Sequence, residues 1–257
     1  MNIGLIYYND KQDDKAIEQL KKVISTYPGS PEAAEALTSV KNIYVEDGKA
    51  EEYFAFVKNI PNASVSIGAQ DSITYQVAEQ RYLKSNFEDA AKDFNKYLTQ
   101  FPDGAYRLNA TFYMAECNFR NKNFAEALKG YETISAEPKN IYTEKSLLKA
   151  GNINFNNKDY SKAIQQYSAL ERDADMRDNI QFAQVGIMRS SYFLANYGQA
   201  IAYAKKLIDG EKVSNELISE SHLIYGRSAM KQEDYAAAKK EYLSCQNNLV
   251  MQGRSKI

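Results

Sequence analysis

A short pattern of polar, aromatic and small positions recurs along the chain at a nearly constant interval. Each copy has a short polar residue, an aromatic residue, two mostly polar positions and an alanine, and the clear copies occupy residues 86–90, 123–127, 159–163, 196–200 and 234–238. Their alanines lie 36–38 residues apart, and steps of 37 residues towards the N-terminus reach Tyr53 and Ala16. A fixed period of this length predicts a stacked array of repeats instead of one globular core.

Apolar residues at helical spacing place two helices in each period. In the regular copies, the predicted helix pairs are 72–84 with 88–100, 106–120 with 124–135, 142–156 with 160–172, 180–194 with 197–209, and 216–231 with 235–247. Including two less regular copies, the predicted repeats are 1–28, 31–60, 72–102, 105–138, 142–175, 180–210 and 215–249. No proline-rich or glycine-rich linker divides them, so residues 1–257 are predicted to form a single array. Residues 61–71 are predicted to be the longest and least helical connection.

Each position of the pattern has a physical role. The alanine lets two helices cross closely, and a large residue four positions later fills the groove beside that crossing. The Asn or Asp at the start can cap the second helix. The second copy departs from this pattern, because Lys41 and Tyr53 occupy its small-residue positions. We expect Tyr53 to push the two helices of that copy apart.

These residues resemble the tetratricopeptide repeat (TPR), a helix–turn–helix unit with a small residue on its first helix, A-x3-F on its second and a late proline. The matches are Gly4-x2-Tyr7 with Ala16-x3-Leu20 and Pro28, Ala78 with Ala90-x3-Phe94 and Pro102, Ala115 with Ala127-x3-Tyr131, Gly151 with Ala163-x3-Tyr167, and Gly226 with Ala238-x3-Tyr242. The resemblance implies an all-α fold, a right-handed α-α superhelix of about seven repeats. The long period and the junction around residues 100–117 are similar to the bacterial-envelope branch of the family, which includes Tol-associated and outer-membrane-assembly proteins. That likeness favours the periplasm or cell envelope and leaves the cytoplasm possible.

Composition and charge narrow the range of partners. The net charge of −1 argues against nucleic acid as a partner. No run of about 18 apolar residues occurs, so this segment is not expected to insert into a membrane, and no signal peptide is predicted from the residues of this chain. Cys117 and Cys245 lie more than three repeats apart, so they are interpreted as small core residues and not as a disulfide.

The sequence contains few of the residue patterns that catalytic sites require. His222 is the only histidine, which excludes histidine pairs and triads. Neither GxGxxG nor GxxxxGK[ST] occurs. The chain is therefore predicted not to be an enzyme and to carry no cofactor and no metal ion.

Binding of a protein or peptide is the function that the resemblance implies, because first helices line the concave side of a TPR superhelix. The residues predicted to face that groove are Glu79, Tyr82, Glu116, Phe119, Asn152, Phe155, Arg189, Tyr192 and Arg227, with Tyr8 and Met230 at equivalent positions. The alternative is that these aromatic residues pack between adjacent helices and the charged residues are solvated.

A second function class is structural assembly, in which chains associate end to end through uncapped terminal helices. The first helix is short, and Leu249, Val250 and Met251 leave apolar positions near the other terminus. The sequence is thus interpreted as part of a longer array, with self-association through its ends as a possible outcome.

Overall fold

The computed structural model describes residues 1–254, the last eight of these by their backbone alone. Within this range the chain forms fourteen α-helices and no strand, which confirms the all-α fold. The helices are α1 Asn2–Asn9, α2 Asp13–Thr26, α3 Pro31–Glu46, α4 Ala50–Lys58, α5 Ile67–Leu83, α6 Phe87–Gln100, α7 Arg107–Arg120, α8 Phe124–Ala136, α9 Thr143–Asn156, α10 Tyr160–Asp173, α11 Arg177–Phe193, α12 Tyr197–Ile208, α13 Asn215–Lys231 and α14 Tyr235–Arg254.

The two helices of a pair are joined by the same tight turn throughout the chain. In the third pair, Ser85 adopts the left-handed conformation with φ of 61°, and the amide of Asn86 donates to the carbonyl of Arg81 at 2.9 Å. This arrangement is a Schellman motif, which satisfies the last carbonyls of the first helix. The other left-handed residues of this turn are Lys11, Gly48, Lys122, Lys158, Ala195 and Glu233.

The polar residue that opens the repeated pattern caps the second helix, as predicted. The side chains of Asn86, Asp159, Asn196 and Asp234 each accept a hydrogen bond from the backbone amide three residues later, at 3.0–3.4 Å. Each bond satisfies one of the amides that have no partner within the helix. Turn and cap together let each second helix begin immediately after the first has ended.

The alanines of the pattern are buried between packed helices. They are Ala16, Ala90, Ala127, Ala163, Ala200 and Ala238. Of the large residues four positions later, Leu20, Phe94, Tyr131 and Tyr167 are buried, which confirms their predicted packing role. The equivalent Tyr242 is 37% exposed.

The chain divides into two compact units, Met1–Gly130 and the part from Tyr131 onward. In the first unit, α2 packs on α1 and α3, and α6 packs on α5 and α7. In the second unit, each helix from α9 to α14 packs on its neighbours in sequence, and the first helices α9, α11 and α13 also contact one another in order. This is the packing expected of tandem helix pairs.

The prediction of a long connection over residues 61–71 was wrong in its second half. Helix α5 already begins at Ile67, where the Ser66 hydroxyl accepts from the amide of Ala69 at 3.2 Å. The polar Asp71 suggested a loop, but its carboxylate is buried and hydrogen-bonded inside the helix array. Helix α11 likewise begins three residues earlier than predicted, and α14 continues to Arg254. The side chains of Leu249, Val250 and Met251 lie outside the described residues.

Candidate protein-binding surfaces

The aromatic residues predicted to face a groove pack first within their own repeat. Each makes an edge-on or tilted contact with the aromatic residue that opens the following helix. The pairs, with their centroid distances, are Tyr82–Phe87 at 5.5 Å, Phe119–Phe124 at 5.4 Å, Phe155–Tyr160 at 5.4 Å and Tyr192–Tyr197 at 6.0 Å. Such pairs stabilise a structure beyond the area they bury. The alternative interpretation, in which these aromatic residues pack between adjacent helices, therefore holds for part of the surface of each ring.

These aromatic pairs also reach the next repeat. Tyr82 lies 4.9 Å from the ring of Tyr113 on α7. In the second unit, Phe193 stacks on Tyr160 at 4.9 Å and contacts Phe155 at 5.9 Å. The rings of Tyr82 and Phe155 remain half-buried, so part of each is accessible.

The polar residues of the predicted row are mostly engaged in internal contacts. Glu79 accepts from the Tyr75 hydroxyl at 3.0 Å, and Glu116 is only 3% exposed. Arg189 donates two hydrogen bonds to Glu220, at 2.6 and 2.7 Å, and this pairing raises the pKa of the Arg189 guanidinium. Arg227 on α13 is exposed.

Three of the predicted residues meet in one cleft of the second unit, the α9–α11 cleft. It has a volume of about 180 Å³ and is lined by Asn152, Phe155, Asn156, Tyr167, Phe182, Val185, Gly186 and Arg189. Asn152 accepts from the Tyr167 hydroxyl at 2.7 Å, which fixes its side chain. Burial raises the pKa of that hydroxyl to about 12, so it remains a hydrogen-bond donor at neutral pH.

Three residues that shape this surface were not predicted from the sequence. Phe182 is 44% exposed at the edge of the α9–α11 cleft, Gly186 forms part of its floor, and Glu220 holds Arg189 from α13. Phe182, Gly186 and Arg189 are spaced i, i+4 and i+7, so helical periodicity places them on one face. That signal was available in the sequence, whereas the contact with Glu220 was not.

The first unit contains a larger cleft beside the irregular second repeat. Its volume is about 670 Å³, and its walls come from α3, α4, α5 and the connection at residues 59–66. Lys41 and Tyr53, the two residues that depart from the repeated pattern, both line it. The sequence therefore marks the place of this cleft through its departures from the repeat.

No charged cluster among the described residues resembles a metal site. Nowhere in this part of the chain do three or more His, Cys, Asp or Glu side chains come together in a group able to hold an ion. His222 instead lies 2.6 Å from Glu241, and both side chains are largely buried. Across the same residues, no helix has the length and apolar character needed to cross a bilayer.

Known proteins resemble this chain mainly in fold. A family model described as tetratricopeptide repeat matches residues 1–30, and no curated protein matches the sequence. The C-terminal part of a TPR repeat-containing protein from Cytophaga hutchinsonii aligns with a TM-score of 0.53 and 16% identity, over 97% of this chain and 94% of that one. BtubC (BKLC) from P. vanneervenii aligns with a TM-score of 0.48 and 14% identity, over 86% and 92% of the two chains. PilF from Pseudomonas aeruginosa gives 0.41 and 14%, over 90% and 95%. The fold is thus the all-α helix-pair array of TPR proteins.

Proposed function

We propose that this chain is a non-catalytic interaction scaffold that binds a protein or peptide partner along the first helices of its repeats. The observation that carries the proposal is the meeting of Asn152, Phe155 and Arg189 in the α9–α11 cleft, with Phe182 exposed at its edge. In the same unit, Tyr192 and Arg227 are proposed as secondary contacts, and in the first unit Glu79, Tyr82 and Phe119 are proposed as a separate set of contacts.

The dimensions of the α9–α11 cleft favour a protein partner over a small ligand. Small-molecule sites usually occupy 300–1,000 Å³, whereas this cleft measures about 180 Å³. It is therefore better suited to one apolar side chain inserted from a larger partner. Buried anchors of this kind supply much of the affinity of a protein interface.

The polar groups around the cleft indicate the chemistry of the partner. Arg189 is held in place by Glu220 while 43% of its side chain remains exposed, and Arg227 is exposed on the adjacent first helix α13. Glu220 neutralises the charge of Arg189, so the exposed Arg227 guanidinium is the group that favours a carboxylate on the partner. We therefore propose a partner segment that presents an apolar anchor with acidic residues beside it.

Two substitutions test this surface. Phe182→Ala removes the exposed edge of the cleft, and Arg227→Glu reverses an exposed charge, so neither disturbs the buried core. We expect each substitution to lower the affinity for a partner that was isolated with the wild-type protein by about tenfold, as measured by calorimetry. Ile141→Ala is the matched control, because Ile141 is an exposed apolar residue of the same unit outside the cleft.

Two outcomes of these binding measurements would contradict the proposal. A partner whose affinity for Phe182→Ala and Arg227→Glu equals its affinity for the wild type does not use this surface. Equal losses in all three variants would indicate nonspecific apolar association and would also contradict the proposal.

End-to-end assembly is the second candidate function, favoured by the exposed face of α1. Ile3 and Ile6 on that helix are 61% and 58% exposed, and an apolar face of this kind is typical of a surface that another helix covers. Light scattering after size exclusion tests it: the mass should rise with concentration, and Ile3→Glu with Ile6→Lys should abolish the rise. A monomer at every concentration would contradict assembly and leave the scaffold proposal intact.

The cell envelope is the compartment we propose for this scaffold. The support is the similarity of its long period and of residues 100–117 to bacterial-envelope repeats. Fractionation of cells that express the full-length protein, with detection in the envelope fraction, tests the proposal. Detection confined to the cytoplasmic fraction would overturn it.

A further inference from the structure

The cleft beside the second repeat exists where the repeated pattern fails. Helix α4 is only nine residues long, and Lys41 and Tyr53 replace the small residues that bring two helices together elsewhere. The cleft measures about 670 Å³ and is lined by Leu37, Lys41, Tyr53, Val57, Ile73, Gln76 and residues of the 62–72 segment. This volume falls in the range of small-molecule sites.

Lys41 is the only charged side chain that lines the cleft. It is half-buried, and among the described residues it forms no ion pair or hydrogen bond. Its ammonium group is therefore available to pair with an anion that enters the cleft. An anionic ligand would supply the missing partner.

Tyr53 adds a second unused polar group. Tyr53 is only 7% exposed and lines the cleft, and its hydroxyl makes no hydrogen bond to any described residue. Burial raises the pKa of this hydroxyl, so it stays protonated at neutral pH and can donate. Ser66 and Ala69, at the N-terminus of α5, also line the cleft, and the positive end of a helix dipole is favourable for an anion nearby.

The remaining walls combine apolar side chains with the neutral polar residues Asn62, Ser64, Ser66, Ser72 and Gln76. Leu37, Val57 and Ile73 line the cleft together with Ala63, Val65 and Ala69. An ion with two or more charges would find one cation, Lys41, among these groups, so its second charge would have no ionic partner in the cleft. An amine would be repelled by Lys41, and a neutral molecule would leave that ammonium unpaired.

We propose that this cleft binds a small organic monocarboxylate with an apolar body. The carboxylate pairs with the Lys41 ammonium and accepts a hydrogen bond from the Tyr53 hydroxyl, while the apolar body packs against Leu37, Val57 and Ile73. The proposal is independent of the scaffold function, since it concerns the other unit of the chain and a different ligand class.

Octanoate is the probe that tests this site. We expect saturable binding, with methyl resonances of Val57 and Ile73 shifting in a spectrum of the full-length chain. Lys41→Met should lower the affinity for octanoate at least about tenfold, and Tyr53→Phe should lower it about threefold. Lys22→Met should leave the affinity unchanged, because Lys22 lies on the surface of α2, where it pairs with Glu18 outside the cleft.

Two further ligands separate the contributions of charge and apolar body. Octanol should bind wild type and Lys41→Met alike, and acetate should bind at least about tenfold more weakly than octanoate. Equal octanoate affinity in wild type and Lys41→Met, or acetate as tight as octanoate, would overturn the proposal. Circular dichroism melting of each variant establishes that it is folded. If Lys41→Met does not fold, Tyr53→Phe and the comparison of acetate with octanoate in the wild type remain decisive.

Discussion

The hydroxyl of Tyr97 on α6 donates a hydrogen bond to the buried carboxylate of Asp71 on α5, at 2.5 Å. The same hydroxyl accepts from the amide of Tyr106 at 2.9 Å, and the second oxygen of Asp71 accepts from the amide of Ala105 at 2.8 Å. Burial, together with this bond to Asp71, raises the pKa of Tyr97. Two side chains thus hold the connection between the third and fourth repeats.

Removal of Asp71 should destabilise the protein strongly. Asp71→Ala leaves the Tyr97 hydroxyl and the Ala105 amide without their acceptor, and such a loss in a buried network costs about 2–4 kcal/mol. Tyr97→Phe should cost about 1–3 kcal/mol, and the double variant less than the sum of the two. Urea unfolding measures all three.

Asp103→Ala is the control for this network. Asp103 is an exposed carboxylate in the connection that the network holds, so its removal should change stability by less than about 0.5 kcal/mol. An Asp71→Ala variant as stable as Asp103→Ala would show that the buried carboxylate is dispensable.

Alanine should not be tolerated at Gly186. The ring of Tyr167 lies between two glycines: a Cβ at Gly151 would lie 2.5 Å from Tyr167 Cε1, and one at Gly186 would lie closer still. Overpacking of this kind costs about 1–3 kcal/mol. Thermal denaturation should show the loss for both Gly151→Ala and Gly186→Ala.

Gly198→Ala provides the comparison on helix α12. A Cβ there meets no atom within 4 Å, so the better helix propensity of alanine should leave stability unchanged or raise it by up to about 1 kcal/mol. If Gly186→Ala behaves like Gly198→Ala, then Tyr167 has room to move and the crossing is not close-packed.

Glycine at the left-handed turn positions should stabilise the chain. Ser85 and Lys158 have φ of 61° and 63°, a conformation that glycine adopts without the steric cost of a Cβ. We expect Ser85→Gly and Lys158→Gly each to raise the free energy of unfolding by about 0.5–1 kcal/mol. Gln165→Gly, at an exposed position inside α10, should lower it by about 1 kcal/mol. The same sign at both kinds of position would contradict the Schellman geometry.

Cys117 should resist alkylation while the protein is folded. Burial raises the pKa of its thiol to about 12, so about one molecule in ten thousand carries the reactive thiolate at pH 8. Cys245 is half-exposed and should react first with iodoacetamide, as followed by peptide mass spectrometry. Rapid labelling of Cys117 in the folded Cys245→Ala variant would show that its thiol is accessible.

The same raised pKa predicts a loss of stability at alkaline pH. An unfolded thiol loses its proton near pH 9, whereas the folded one keeps it to about pH 12. The contribution of Cys117 is therefore complete below pH 9 and declines as pH rises towards 12. Cys117→Ala should reduce the fall in melting temperature between pH 8 and pH 10.5. An identical fall in the variant would assign the alkaline loss of stability to other groups. Tyr203 is one of them, because burial and its hydrogen bond to Glu171 raise its pKa to about 12.

The sequence by itself determined the local architecture of this protein. The period, the helix pairs, the capping role of Asn86 and its equivalents, and the burial of the pattern alanines all depend on chemistry within a few residues of each position. Such features can be predicted from one sequence because a helix, a cap or a turn is satisfied largely by its own neighbours.

Only the tertiary structure decided which distant side chains meet. Asp71 joins Tyr97, Arg189 joins Glu220, and Tyr167 fits between Gly151 and Gly186, in each case across separate helices. These contacts depend on the distance and rotation between packed helices, which the repeat period does not encode. For the same reason, the sequence marked Lys41 and Tyr53 as irregular, but the cleft that they line became evident only once α3, α4 and α5 were packed together.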